Sequence, residues 1–251
     1  MTASFLDIKQ GRRLAYQKLE GNGIAIVFLA GHGSDMLGSK AEALYLDCQA
    51  KNRPFIRFDY SGHGQSDGEF LEGTITSWTE DAAAILEALT DGPVILVGSS
   101  LGGWIMLNLA KQLGDKIAGL IGIAAAPDFT ERLIWQDLDE SQREKMKSEG
   151  QIALPNPYAD EDVIYPYQLI TDGRRNLLLQ DELAISCPIY LHQGMEDHEV
   201  PWQTAIDIAK AVTSGDVTIN LIKEAGHRFS SEGEIAAILA SVDNIYEKLS
   251  A

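Results

Sequence analysis

Cysteine is scarce. The 251-residue chain has two, Cys48 and Cys187, too few and too far apart for a disulfide framework or a metal-ligand cluster. Free thiols in a reducing compartment are the expectation. Long apolar runs are missing as well: no stretch approaches the roughly 18 apolar residues of a membrane span, and the first residues lack a basic start followed by an apolar segment. A cytoplasmic protein with no stable membrane association is expected. Positive charge is the third shortage. Twenty Lys and Arg face 37 Asp and Glu, a net charge of −17. Nucleic-acid binding draws on clustered cations that release counterions, so no nucleic-acid partner is expected. Neither an internal repeat nor a low-complexity tract is visible.

What the chain does have is alternation. Short β-branched runs at 24–29, 55–59, 94–97, 117–124, 189–192 and 217–222 read as strands buried on both faces. Amphipathic segments at 39–51, 76–89, 101–113, 202–212 and 235–248 read as helices between them. Residues 4–19, centred on Gln10-Gly11, read as an opening antiparallel hairpin. The fold class is therefore α/β, with a mostly parallel, doubly wound sheet. About 60 residues between the strands at 117–124 and 189–192 exceed an ordinary connection. We read 1–127 and 187–251 as one core domain, interrupted by a helical cap at 128–186. Between residues 127 and 186 there are 13 acidic and 6 basic residues, so the cap is about twice as acidic per residue as the rest. If those acids line an entrance, their field disfavours anionic substrates.

The chemistry centres on 98–102, a G-x-S-x-G pattern around Ser100 that directly follows a strand and opens a helix. That context gives the pattern its meaning. A sharp turn lifts the serine hydroxyl above the sheet, while small flanking residues let strand and helix approach. A serine is a poor nucleophile until a base takes its proton and a carboxylate orients that base. In this arrangement the acid and then the histidine follow the serine along the chain.

Of five histidines, His32 and His63 precede Ser100 in glycine turns, His192 lies in a strand, and His198 adjoins the acid it would need. His227, in a strand-end loop after 217–222, is the base. For the acid, Asp197 after the strand at 189–192 competes with Glu196 and with Asp128, one strand earlier. Asp197 is preferred because Val200-Pro201 closes its loop; Glu196, His198 and Glu199 read as a solvated acidic loop. Two backbone N–H groups should face the developing oxyanion, those of Leu101 at the helix start and His32 in the loop 30–34.

These residues identify a resemblance. The blocks 34–41 (SDMLGSKA), 58–68 (FDYSGHGQSDG), 92–104 (GPVILVGSSLGGW) and 192–202 (HQGMEDHEVPW) resemble the α/β-hydrolase superfamily. Within it they are most similar to the branch of palmitoyl-protein thioesterases and acyl-glucuronide esterases. The resemblance implies Ser100 as nucleophile, Asp197 as acid and His227 as base. The block at 58–68 is widespread among such enzymes and reads as holding a loop. The branch tends to carry an aromatic residue where His32 stands.

The expected activity is hydrolysis of a small-molecule ester or thioester through an acyl-enzyme, with neither metal nor organic cofactor. The same triad serves carbon–carbon and peptide bonds, and a non-catalytic ligand receptor of this fold would keep the pocket. An Asp-nucleophile reaction is disfavoured because the turn carries Ser100. In the cap, Phe129, Leu133, Ile134, Trp135, Leu138, Tyr158, Tyr165, Tyr167 and Ile170 offer apolar surface for an acyl chain or for packing. Trp104, just inside the helix, lines the pocket or packs beneath it.

Overall fold

The computed structural model describes residues 2–9, 11–155 and 161–250. Eight strands form one sheet in the order β1-β2-β4-β3-β5-β6-β9-β10. They are β1 (Ser4–Asp7), β2 (Arg13–Leu19), β3 (Ala25–Leu29), β4 (Phe55–Phe58), β5 (Val94–Ser99), β6 (Ile117–Ile123), β9 (Ile189–Gly194) and β10 (Val217–Ile222). The strands β1, β2 and β4 pair antiparallel, and all other neighbours are parallel. The opening hairpin forms as expected from the sequence, although Gln10 lies outside the described residues. Every residue of β4, β5 and β9 is buried, whereas β1 and β10 are half-open edges. Burial on both faces is why the central strands read as unbroken apolar runs. Each buried Val, Leu or Ile side chain there contributes about 1.5–3 kcal/mol relative to exposure.

Helices α1 (Ser39–Ala50) and α7 (Glu232–Ser250) pack against one another on one face of the sheet. On the other, α2 (Ile75–Leu89) and α3 (Leu101–Leu113) pack together, and α6 (Gln203–Ala211) leans on β9 and β10. The chain leaves β3 through α1 toward β4, then returns through α2 to β5 on the opposite flank. Strand order therefore reverses between β3 and β5, which opens a crevice at their carboxyl ends, the usual ligand position in open α/β sheets.

Between β6 and β9 the chain makes a long excursion. It carries a wide π-type turn at Thr130–Trp135, α4 (Glu140–Glu149), a two-stranded sheet of β7 (Gln151–Leu154) and β8 (Val163–Pro166), and α5 (Tyr167–Gly173). Helix α4 is capped by Asp139, whose carboxylate accepts the Gln142 amide, and ends at Gly150 in the left-handed region. The sequence reading had helices here and no strands. The β7–β8 ribbon is an addition to it, made of four-residue strands too short to show a period. The ribbon packs on the turn Phe70–Glu72, and α5 packs on α2. Asp172 fixes that contact, its carboxylate accepting the Thr76 amide at 2.9 Å and the Thr76 hydroxyl at 2.8 Å.

Candidate active site

Strand β5 ends in a turn that only small residues permit. Ser100 sits at φ 52°, ψ −116°, in the left-handed half of backbone space that a side chain occupies only under constraint. A Cβ on Gly102 would lie 2.0 Å from the Leu29 carbonyl oxygen, and one on Gly98 would lie 2.4 Å from that of Gly102. Those contacts hold α3 against the ends of β3 and β5 and leave the Ser100 hydroxyl at the crevice.

Two strand-end loops bring the other groups to it. The loops after β9 and β10 are tied by backbone bonds from Met195 N–H to Ile222 and from Glu196 N–H to Ala225, at 2.9 and 3.0 Å. His227 Nε2 lies 3.1 Å from Ser100 Oγ, and His227 Nδ1 lies 2.8 Å from Asp197 Oδ2. An ionised carboxylate only accepts, so Nδ1 carries the proton and Nε2 presents its lone pair to the serine. The Asp197 carboxylate is fully buried, yet every acceptor direction is used. Oδ1 takes the amides of Glu199 and Val200 at 2.9 and 2.8 Å, and Oδ2 also takes the Gln193 amide at 2.8 Å. Burial alone would raise its pKa. The hydrogen bond and charge of His227, with the two backbone amides, outweigh that and hold the carboxyl below its ordinary value.

The loop after β3 closes the site on the remaining side. Gly31 lies beside the nucleophile, its Cβ position 3.5 Å from Ser100 Cβ. Two residues of the 58–68 block hold this loop. His63 Nε2 accepts the Gly33 amide at 3.2 Å while Nδ1 donates to the Ser61 carbonyl, and Asp59 Oδ1 accepts the Met36 amide at 2.7 Å. The widespread motif thus steadies the loop that carries the His32 amide. Leu101 is the first residue of α3, so its N–H has no acceptor within the helix.

Residues 26–238 match the profile of the Alpha/beta hydrolase family. The chain belongs to that family. It is 38% identical over 248 residues to the palmitoyl-protein thioesterase ABHD10, mitochondrial, of Mus musculus, covering 98% of this chain and 83% of the relative. The solved mouse alpha/beta hydrolase domain-containing protein 10 superposes with a TM-score of 0.92 at 36% identity, over 99% of this chain and 100% of that one. A putative hydrolase from Agrobacterium vitis S4 superposes equally well, at 0.92 and 32% identity, over 98% and 99%. The enzyme is a hydrolase of this fold. Among its described residues no helix is long and apolar enough to cross a membrane.

The other candidate residues of the hydrolase take structural positions. Asp128 is not near His227 by any hydrogen bond; its two carboxylate oxygens accept the Leu178 and Leu179 amides at 2.8 and 2.9 Å. It pins the end of the excursion to the end of β6. Burial raises its pKa, opposed by those amides, the reverse of the net effect on Asp197. His198 and Glu196 are exposed. Trp104 is fully buried and donates to the Asn176 carbonyl at 3.0 Å, so it packs beneath the pocket. Ile134, Leu138 and Ile170 are likewise buried. Trp135 stacks under Arg174 with Tyr167 alongside, both half-buried against the core. Tyr158 lies outside the described residues.

Phe129 and Tyr165 instead converge on His32, whose ring also meets Phe70 and Trp78. A groove of about 370 Å³ opens beside this box, lined by Gly33, Ser34, Asp35, Gly62, His63, Gly64 and Phe70. A larger groove of about 550 Å³ between the excursion and α6 includes Arg132, Asp207 and Lys210 and is not lined by Ser100, Asp197 or His227. Among the described residues no group of three His, Cys, Asp or Glu is placed to hold a metal ion.

Two histidines make the fold acid-sensitive. Burial lowers the His192 pKa to about 4, and burial followed by the His63 charge lowers that of His32 to about 3. Unfolded histidine binds a proton near pH 6.5, so below that value the unfolded chain gains protons that the folded chain refuses. Stability is therefore complete above pH 6.5 and falls as pH drops toward 4, by about 1.4 kcal/mol per pH unit for each histidine. The Asn220 amide donates to His192 Nδ1 and Nε2 lies 2.9 Å from Ser241 Oγ, a neutral pairing that joins β9 to α7. His192→Asn should flatten the fall of Tm between pH 6.5 and 5; an unaltered slope would remove His192 from the account.

Proposed function

We propose that the hydrolase cleaves carboxylic esters or thioesters of small or acyl-chain substrates through a covalent acyl-enzyme on Ser100. The observation that carries this is the continuous relay from Asp197 to His227 to Ser100, at 2.8 and 3.1 Å. His227 takes the hydroxyl proton as Ser100 Oγ bonds to the acyl carbon, and returns it to the alcohol or thiol as the carbon–oxygen or carbon–sulfur bond breaks. Water, deprotonated by the same imidazole, then attacks the acyl-enzyme and frees the acid. The backbone N–H groups of His32 and Leu101 would hold the charge on the carbonyl oxygen. Each such donor is worth about 10²–10³ in rate.

The excursion at 128–186 acts in this reading as a cap, with Phe129 and Tyr165 offering an apolar wall for the acyl chain. The thioesterase name of the mouse relative supports the sulfur leaving group. The two thiols are free, and burial raises both, Cys48 to about 12 and Cys187 to about 11, so neither competes as nucleophile at neutral pH. For the compartment we propose the cytoplasm, which such thiols fit; the relative's name places that protein in mitochondria. A fluorophosphonate probe tests the mechanism. One equivalent of label should be found on the peptide that contains Ser100, with turnover lost in parallel. A chain that takes up no label is a binding protein and not an esterase.

A further inference from the structure

The acidic loop after β9 contains a group that the triad does not use. Glu199 Oε2 lies 3.8 Å from His227 Nε2, the nitrogen that also meets Ser100 Oγ. The second carboxylate therefore stands at the reacting face of the imidazole, opposite the one that orients it. Its loop is rigid, because the Glu199 and Val200 amides are both bound to Asp197 Oδ1. The Glu199 charge also acts on Tyr165 of β8, whose phenol pKa is raised first by burial and then by that charge. Tyr165 in turn stacks on His32 at 5.7 Å with the planes 14° apart.

The chemistry fixes which part of the substrate meets Glu199. His227 Nε2 must hand its proton to the leaving atom, which therefore comes within hydrogen-bond reach of that nitrogen and within about 7 Å of the Glu199 carboxylate. Charges at that separation at a protein surface change a rate by about tenfold. We propose that Glu199 determines leaving-group specificity, so that the enzyme takes esters and thioesters whose leaving group is neutral or cationic near the scissile bond and rejects those carrying an anion there. The selectivity belongs to the first few atoms beyond the bond. Exposed Arg228 follows His227 in the chain, and its carbonyl accepts from the Lys40 ammonium at 2.6 Å. The proposal rests on the acyl-enzyme reading above and narrows its substrate class.

The test uses one acyl group on three thiols: S-butyrylthiocholine, the neutral S-butyryl ester of 2-mercaptoethanol, and the S-butyryl ester of thioglycolate. Release of thiol gives kcat/KM for each, for the wild type and for Glu199→Gln and Glu199→Asp. Intrinsic reactivity of each ester and any general effect of a substitution cancel in the ratio of ratios. The cationic-to-anionic preference should fall by about tenfold or more in Glu199→Gln, and Glu199→Asp should keep most of it. At low salt the preference in the wild type should be largest, shrinking as salt is added. A preference unchanged within twofold in Glu199→Gln, with turnover still abolished by Ser100→Ala, overturns the role of Glu199 and leaves the triad standing. Turnover that survives Ser100→Ala, or a wild type that cleaves neither these thioesters nor their oxygen counterparts, overturns the acyl-enzyme reading and the proposal with it.

Discussion

Ser100→Ala should lower kcat/KM for a p-nitrophenyl ester by about 10⁴-fold or more while leaving the thermal midpoint nearly unchanged. The loss follows from the geometry: Ser100 Oγ is the hydroxyl that meets His227 Nε2, at 3.1 Å, and alanine puts none in its place. The fold survives because alanine keeps the one Cβ that the turn at φ 52° already accommodates. Glycines at 98 and 102, not the serine, allow the close approach of α3 to β3. Residual rate in the variant comes from polarisation of the carbonyl by the backbone amides and from substrate binding, which need no serine. The decisive comparison is kcat/KM beside Tm for purified wild type and variant. Near wild-type turnover in Ser100→Ala would remove the acyl-enzyme from the mechanism.

The tautomer of the base follows from the same relay. Asp197 is held below the ordinary carboxylate range, so it remains ionised as the solution is acidified through the imidazole range. It therefore keeps accepting from Nδ1–H, which leaves the Nε2 lone pair of His227 for the Ser100 hydroxyl. In the same pH range, half-buried His32 and buried His192 stand outside the relay. Their low pKa values keep them neutral there, and they act on stability instead.

Strand identity was readable because the central strands are buried on both faces, and a doubly buried strand leaves an apolar run that needs no pattern analysis. Chain order and strand-end placement were enough to select Ser100, Asp197 and His227, which the fold brings within hydrogen-bond range. The parts that were not readable are short-range in sequence and long-range in space. The strands β7 and β8 have four residues each, and β8 packs on Phe70–Glu72, roughly 90 residues earlier. Glu199 read as solvated because an acid two residues from another acid has that reading by default. Only the turn that binds both amides to Asp197 aims it back at His227. Likewise the glycine turn around His63 carried no sign that its imidazole would meet Gly33. That contact joins two strand-end loops, which composition does not report.

The second large effect separates the two acids that the sequence left in competition. Asp197→Asn should lower kcat by about 10³–10⁴. Oδ1 of Asp197 receives two backbone amides, so the asparagine oxygen is drawn to that position and the NH₂ group faces His227 Nδ1. A donor there forces Nδ1 to accept. The ring proton then sits on Nε2, where it points at Ser100 and blocks the base. The Gln193 amide, which donates to Oδ2 in the wild type, meets a second donor in the variant and must turn away, adding about 1–3 kcal/mol of lost stability. Asp128→Asn should cost similar stability but keep turnover. Its two oxygens accept one amide each from Leu178 and Leu179, and an asparagine can serve only one of them. The cost falls on the attachment of the excursion, about 1–3 kcal/mol in stability, with kcat reduced by no more than about tenfold because no proton in the relay has moved. Measuring kcat and Tm for both variants should show Tm lowered in each and kcat lost by orders of magnitude in Asp197→Asn alone. If Asp128→Asn instead lost turnover by three orders of magnitude at unchanged Tm while Asp197→Asn kept it, the acid would have to be moved one strand earlier.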